Sequence, residues 1–511
     1  MNDLKIQRSV AKWVCGLFLL SAPALGAPID PKDPPQGRFS DEWAEIYLTG
    51  HKVGYAHTTM ARAGDTISTS TDFHLVMGRD EQPIKIGMTQ YTTETLAGAP
   101  LTFGSEMDMS VMKSGTKGKV TDGKVTIVTS QYGMEQTKTF DYPSGAYMGW
   151  GTFRESLLRG FKPGTEYTLL AYAPELRLDG SVRAITKLGD WEQIEIRGKS
   201  VKGQRVAVTM ESPVGSFEML SWIDADGVPL RAKVPMPGVG DMEMLAADQA
   251  TALAQFAPPE FFNNTIVRAK RTIDRAKTQR IKYRLTSIKP DVTLGDFPTT
   301  DMQSVVSKAD DAIELVVQRR PYQRQATNPE SRIPNPDLAE YLESNLMINT
   351  ADPKLIELAK DAAGGEKEPF ALGDKLRRFV TDYVQTKSLN IGFATASEVA
   401  RTREGDCSEH GLLLAALGRI NGLPSRVVVG LAYVPVFGRQ DDIFGYHLWT
   451  QFYIDGRWVD FDAALRETEC SPARIAFAVS SLKNAGLADL SLPLLKKIGA
   501  IDMDILELEE K

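Results

Sequence analysis

Cys407 stands at the mouth of an apolar run, "GDCSEHGLLLAALGRI"; His447 follows it after 40 residues and Asp462 after a further 15. A cysteine so placed has four readings: nucleophile, metal ligand, half of a disulfide, or small buried residue. Asp406 and Glu409 have the spacing of a helix N-cap and its reciprocal acidic partner, which puts Cys407 at the first helical position. The helix dipole and the unpaired backbone N–H groups there favour a thiolate, while Glu404, Asp406 and Glu409 oppose it. A cationic partner has to decide the balance.

The later stretch "YHLWTQFYIDGRWVDFDAAL" supplies one. It alternates through His447, Trp449, Gln451 and Tyr453, turns at Asp455-Gly456, and returns through Trp458 to Asp462. A two-residue turn makes Ile454 and Arg457 partners, so Asp462 falls opposite Trp449 and His447 becomes its diagonal neighbour on the same sheet face. Asp460 shares that face but pairs with Gln451, farther from His447. Trp449 is positioned to shield the imidazole and carboxylate from water.

These are the parts of an activated-thiol triad. Cys407 would attack a carbonyl, His447 would accept its proton and return one to the leaving group, and Asp462 would orient and stabilise the imidazolium. The Cys407 backbone N–H would give one oxyanion donor. Two rivals share the residues. Cys407, His410, His447 and Asp462 are all zinc-compatible, but the hairpin accounts for His447 and Asp462 without metal and His410 reads as a packing residue, so neither metal nor cofactor is expected. A Cys407–Cys470 disulfide is the other, open to a chain that reaches an oxidising compartment.

The elements that must hold these groups are legible around them. On the cysteine helix Leu412, Leu413, Ala416, Leu417 and Ile420 form one apolar stripe, and Cys407, Gly411, Ala415 and Gly418 a stripe of small residues on another face. Small residues let a sheet approach closely, which predicts Cys407 at a helix–sheet seam. From Pro336 the period is helical, through "PDLAEYLESNLMI", "DPKLIELAKDAA" and "PFALGDKLRRFVTDYVQT", and strands follow the cysteine helix: an α+β layout.

The Gly-x-Cys helix, the His-x-Trp strand and the aspartate after Gly-x-Trp, in this order and at these intervals, resemble the bacterial transglutaminase-like superfamily over about residues 335–480. The resemblance implies a papain-like α+β fold with Cys407, His447 and Asp462 as the triad. One departure is local: these domains usually read Asp-Pro-Thr at the last motif, and this chain has Asp462-Ala463-Ala464.

The rest of the chain frames that domain. The 511 residues carry a formal charge of −7, with 42% hydrophobic and 24% charged residues, a globular composition with room for several cores. Lys5, Arg8 and Lys12 precede an apolar stretch from Trp13 to Leu20 and small residues up to Ala27, the pattern of a secretory signal peptide over 1–27. Its removal takes away three basic residues and one acidic, so the charge becomes −9. An acidic chain without a basic cluster is a poor partner for nucleic acid, and no later segment is long and apolar enough to span a membrane. Periplasmic or secreted location is expected.

Residues 40–255 alternate in short runs with turns at Asp122-Gly123 and Asp226-Gly227, predicting a large, mostly antiparallel, half-barrel-like sheet broken by one helix at "GWGTFRESLLRGF". His51, His57 and His74 fit no metal spacing. The charged run Arg268–Lys282 reads as a solvated helix face or linker opening a small β-rich connecting domain, 265–330, with strands at "QRIKYRLTSI" and "DAIELVVQRR". Prolines 329, 334 and 336 mark a boundary before the catalytic domain, 335–482, and residues 483–511 read as a helical, acidic tail. The expected function is an exported thiol enzyme acting on amide bonds of a protein or peptide substrate through an acyl-enzyme, as protease, amidase or transglutaminase. The reading from another class is a non-catalytic scaffold whose large sheet binds a partner.

Overall fold

The computed structural model describes residues 29–511 except 79–82, 110–111, 132–133, 175–176, 178, 213–214, 237–239, 260–265, 289–293, 310, 324–335, 346, 387–393, 438–439, 484–496 and 498. The signal-peptide stretch and the prolines at 329 and 334 lie outside the described residues. The chain divides into two units, 1–260 and 261–511.

In the first unit the strand Gly37–Leu48 pairs antiparallel with Gly240–Ala247, Trp43 standing opposite Ala247. Among the described residues the chain builds outward both ways from that central pair, to Met134–Asp141 at one edge and Ala146–Tyr147 at the other, in a single path of fifteen strands. A twisted sheet of that length has to curl. Phe103, Val125 and Ile127 from near the first edge share a buried cluster with Ala146, Met148 and Tyr172 from the second. The Asp122-Gly123 turn has both residues at positive φ, 51° and 73°, as a two-residue hairpin with the right strand twist requires.

The helix expected at "GWGTFRESLLRGF" is present as Gly149–Arg159. Its N-cap, Met148, offers no side-chain acceptor, so the orphan N–H groups need one from elsewhere. Fully buried Glu94 supplies it: Oε1 accepts from Trp150 N at 2.7 Å and Oε2 from Gly151 N at 2.8 Å. Burial still pushes this carboxyl up to about 7, against those bonds and that of Thr92. His57 stacks on Trp43 and bonds Asp41, and His74 stacks on Tyr55, so both imidazoles have partners in the sheet.

Among the described residues the second unit holds two sheets and four α-helices, Pro353–Ala363, Pro369–Tyr383, Ala396–Thr402 and Cys407–Ile420. "PDLAEYLESNLMI" does not form an α-helix: the described part is a 3-10 turn, Pro336–Tyr341, followed by irregular chain. One sheet orders its strands 467–468, 457–462, 440–454, 425–437 and 474–480, with Val267–Arg268 added beside the third. The other orders 303–308, 312–318, 278–287 and 501–510.

Three expectations need correcting. The segment 265–330 is no separate connecting domain, because Ile281, Tyr283, Leu285 and Leu315 share one core with Leu431, Tyr433, Phe444, Ile475 and Phe477 of the other sheet. The tail is not helical where it is described: Ile501–Glu510 is a strand paired with Thr278–Ser287. Its sequence alternates at period two, burying Ile501 and Met503 while Asp502 and Asp504 hold Lys270 and Glu507 and Glu509 hold Arg280. The basic run is therefore neither helix nor linker but the partner of an acidic strand more than two hundred residues later.

Candidate active site

The helix Cys407–Ile420 begins where the sequence places it. Gly405 before it has φ +154°, and a Cβ there would lie 2.2 Å from Glu409 Cβ, so the position admits only glycine. Asp406 caps, its Oδ1 accepting from Ser408 N at 2.8 Å, and Glu409 Oε2 accepts from Asp406 N at 2.8 Å, closing the capping box. Glu409 Oε1 accepts from Ala394 N at 2.9 Å, tying another segment to the same turn. Glu409 is fully buried; burial, then the neighbouring Asp406 charge, push its carboxyl up to about 9. At neutral pH one of the three charges set against a thiolate is thereby switched off.

The small stripe seats this helix on the sheet. A Cβ on Gly411 would lie 2.3 Å from Leu448 Cδ2, and one on Gly418 2.2 Å from Phe452 Cε1, both on the strand Gln440–Ile454. Thr450 Oγ1 donates to the Gly411 carbonyl at 2.8 Å, fixing the seam. Cys407 is half-buried at its end, a free thiol.

The histidine strand turns at Asp455-Gly456 and pairs as its two-residue loop dictates, Ile454 opposite Arg457 and Gln451 opposite Asp460. His447 Nε2 donates to Asp462 Oδ2 at 2.7 Å, with the two side chains 9% and 1% exposed. Asp462 Oδ1 accepts from Leu465 N at 2.9 Å, so the Ala463-Ala464 departure still closes a turn on the carboxylate. Burial alone would raise Asp462, but His447 and then Arg474 hold it well below the usual carboxylate range. For His447 burial works downward and is outweighed by Asp462 and by Cys407, a charge and hydrogen-bond partner of the imidazole; it is raised to about 10. With Nε2 taken by Asp462, Nδ1 is the atom left for the sulfur.

Sequence reasoning missed one participant. Arg474 is 3% exposed; Nη1 lies 3.3 Å from Asp462 Oδ2, Nη2 2.5 Å from Glu467 Oε2, and the guanidinium sits 5.0 Å from the centre of the Trp449 ring. An isolated arginine in the apolar strand "RIAFAVS", twelve residues after Asp462, is the signal that was there to find. Trp449 covers His447 with a nearly parallel ring, centroids 6.2 Å apart, but its indole N–H goes to Asp460 rather than Asp462. Asp460 also accepts from Gln451 Nε2 at 3.0 Å, and burial raises it. His410 bonds the Asp406 carbonyl through Nδ1 at 2.6 Å, the contact of a packing residue. Cys470 is fully buried and free, its thiol pushed well up by burial, so the two cysteines are not joined.

Residues 356–463 match the Transglutaminase-like superfamily. This part of the chain is a transglutaminase-like domain. The match takes in the Gly-Asp-Cys helix, the His-Leu-Trp strand and Asp462, and the architecture around it is α+β, preceded by the large sheet. A search of curated proteins gave no match.

Solved structures give distant likenesses. A protein from Cytophaga hutchinsonii described as a candidate cysteine protease is 16% identical, with 46% of this chain and 87% of that one covered and a TM-score of 0.30. A β-barrel-like protein of a domain of unknown function from Brucella abortus is 15% identical, covering 42% and 96% at a TM-score of 0.32. A hypothetical lipoprotein from Escherichia coli is 14% identical, covering 47% and 95% at 0.18. Among the described residues no helix is long and apolar enough to cross a membrane.

Proposed function

We propose that the protein is an exported thiol enzyme that cleaves or exchanges amide bonds of a protein or peptide substrate through an acyl-enzyme on Cys407. The observation that carries this is the buried 2.7 Å bond from His447 to Asp462, on an imidazole whose other partner is the thiol at the helix N-terminus. The transglutaminase-like match over the same residues supports it.

In this reading Cys407 sulfur adds to the substrate carbonyl, forming the C–S bond, while the developing oxyanion faces the Cys407 backbone N–H. His447 gives its proton to the leaving nitrogen as the C–N bond breaks. Water or a second amine then attacks the thioester, His447 takes the incoming proton, and the sulfur leaves. Asp462 holds the imidazole in the tautomer that serves both halves and stabilises its charged form. Water makes the enzyme a protease or amidase, an amine makes it a transglutaminase. The signal-peptide pattern over 1–27 supports a periplasmic or secreted location.

The test is trapping. The chain is incubated with a peptide-amide mixture and hydroxylamine, and intact mass is read alongside Cys407→Ala. An acyl adduct on Cys407 with hydroxamate product supports the reading; no adduct and no product, with Cys407 free and unmodified, counts against it.

A further inference from the structure

Beyond the triad, a cavity of about 490 Å³ opens between the segment after Asp462 and residues 273–276. That volume suits a small organic molecule. Its lining carries acids and bases in similar number, but they are not equally committed.

The acids are engaged. Asp274 Oδ1 accepts from Ala276 N and Lys277 N at 3.0 and 3.3 Å, and its other oxygen pairs with Lys277 at 3.1 Å. Glu469 accepts from Tyr322 N. Glu467 Oε2 takes Arg474 at 2.5 Å and Ser471 N at 3.0 Å, and Oε1 faces Arg275 Nη1 at 3.1 Å. Arg319 is spent on three carbonyls, those of Thr278, Glu469 and Arg275.

The donors are not. Ser471 is 2% exposed and its Oγ has no hydrogen-bond partner among the described residues. Arg275 Nη1 meets Glu467 as an ion pair but off the angle of a hydrogen bond. Arg466, exposed at the same cavity, has no ion-pair or hydrogen-bond partner among the described residues. A buried hydroxyl without a partner beside two guanidinium groups with donors to spare asks for an anionic oxygen ligand.

We infer that this cavity binds a small molecule through a carboxylate group, held by Arg466, Arg275 and Ser471, and that its occupancy is felt at the triad. The route is continuous: Arg275 to Glu467, Glu467 to Arg474, Arg474 to Asp462 Oδ2, and Asp462 to His447. A ligand carboxylate drawing on Arg275 leaves Glu467 to pull harder on Arg474. Arg474 then competes less for Asp462, whose charge turns to His447. The coupling half of this inference rests on the triad reading given above; the binding half does not.

Succinate is the probe and succinamide its neutral control, added to the full chain at constant ionic strength. Calorimetry should show saturable binding of succinate only, weakened at least about tenfold in Arg466→Gln and in Ser471→Ala, as expected for lost charge-assisted bonds. Alkylation of Cys407 by iodoacetamide at pH 7 should accelerate about fivefold at saturation. No saturable binding, equal binding of succinamide, or binding indifferent to Arg466→Gln overturns the site. Binding without a faster alkylation overturns its link to the triad. Failure of the triad reading itself shows elsewhere, as a Cys407 rate indifferent to His447→Ala.

Discussion

His447 Nε2 lies 2.7 Å from Asp462 Oδ2, and that same oxygen is 3.3 Å from Arg474 Nη1. One buried carboxylate oxygen thus serves two cations. The arrangement holds Asp462 ionised, and it makes the imidazole's share of that charge depend on where Arg474 leans.

Asp462→Asn keeps an acceptor for Leu465 N but offers His447 a neutral oxygen. We expect activity toward an amide substrate to fall by about 10³–10⁴. Arg474 keeps its ion pair with Glu467, so the loss of stability should be modest, about 1–3 kcal/mol, from the charge-assisted bonds that Asp462 no longer makes. Steady-state kinetics and a denaturant titration read the two effects separately.

Arg474→Met removes one of the two cations on Asp462 while keeping bulk against Trp449. Burial then counts for more, and the carboxyl rises from its depressed value. The stabilisation Asp462 contributes is present above its ordinary value of 3.8 and lost as pH falls through its folded value. In the variant both the acid limb of the activity profile and acid unfolding should begin at higher pH. A profile superimposable on wild type would show that Arg474 does not act through Asp462.

Gly411→Ala and Gly418→Ala each put a methyl against a neighbouring side chain, Leu448 and Phe452 respectively. Each should cost about 1–3 kcal/mol by overpacking. Gly411 is one turn from Cys407, so only its substitution should also slow alkylation of the thiol. Thermal melts and the alkylation rate distinguish the two.

Glu409 has its carboxyl raised from 4.5 to about 9 by burial and by Asp406. A raised carboxyl contributes stability that is full below the ordinary value and lost as pH rises through the folded value. Stability should therefore decline on this account across the neutral range up to about pH 9, and Glu409→Gln should remove that slope. The readout is the difference between variant and wild-type melts over pH 6 to 10, because Glu42, also raised by burial, to about 8, adds a like slope in both.

The cysteine helix and the histidine hairpin were legible because their signals are local. A cap, a stripe of glycines and alanines, and a two-residue turn that sets the register all sit within a few residues of what they position. The same reading went astray wherever pairing is distant. Arg474 looks like an anomaly until its strand lies beside Ser425–Phe437. The acidic end reads as a helical tail until Lys270 and Arg280 meet it. The connecting segment reads as its own domain because short strands do not announce which sheet's core they complete.

The most direct measurement is the rate at which iodoacetamide alkylates Cys407, taken from pH 5 to 9 in the full chain and in His447→Ala. His447, raised to about 10 by Asp462 and Cys407, should keep the imidazolium beside the sulfur throughout this range. The account predicts wild-type labelling at pH 6–7 faster than in the variant by on the order of 10²-fold. Equal rates in the two proteins, following the pH dependence of a free thiol, would contradict it.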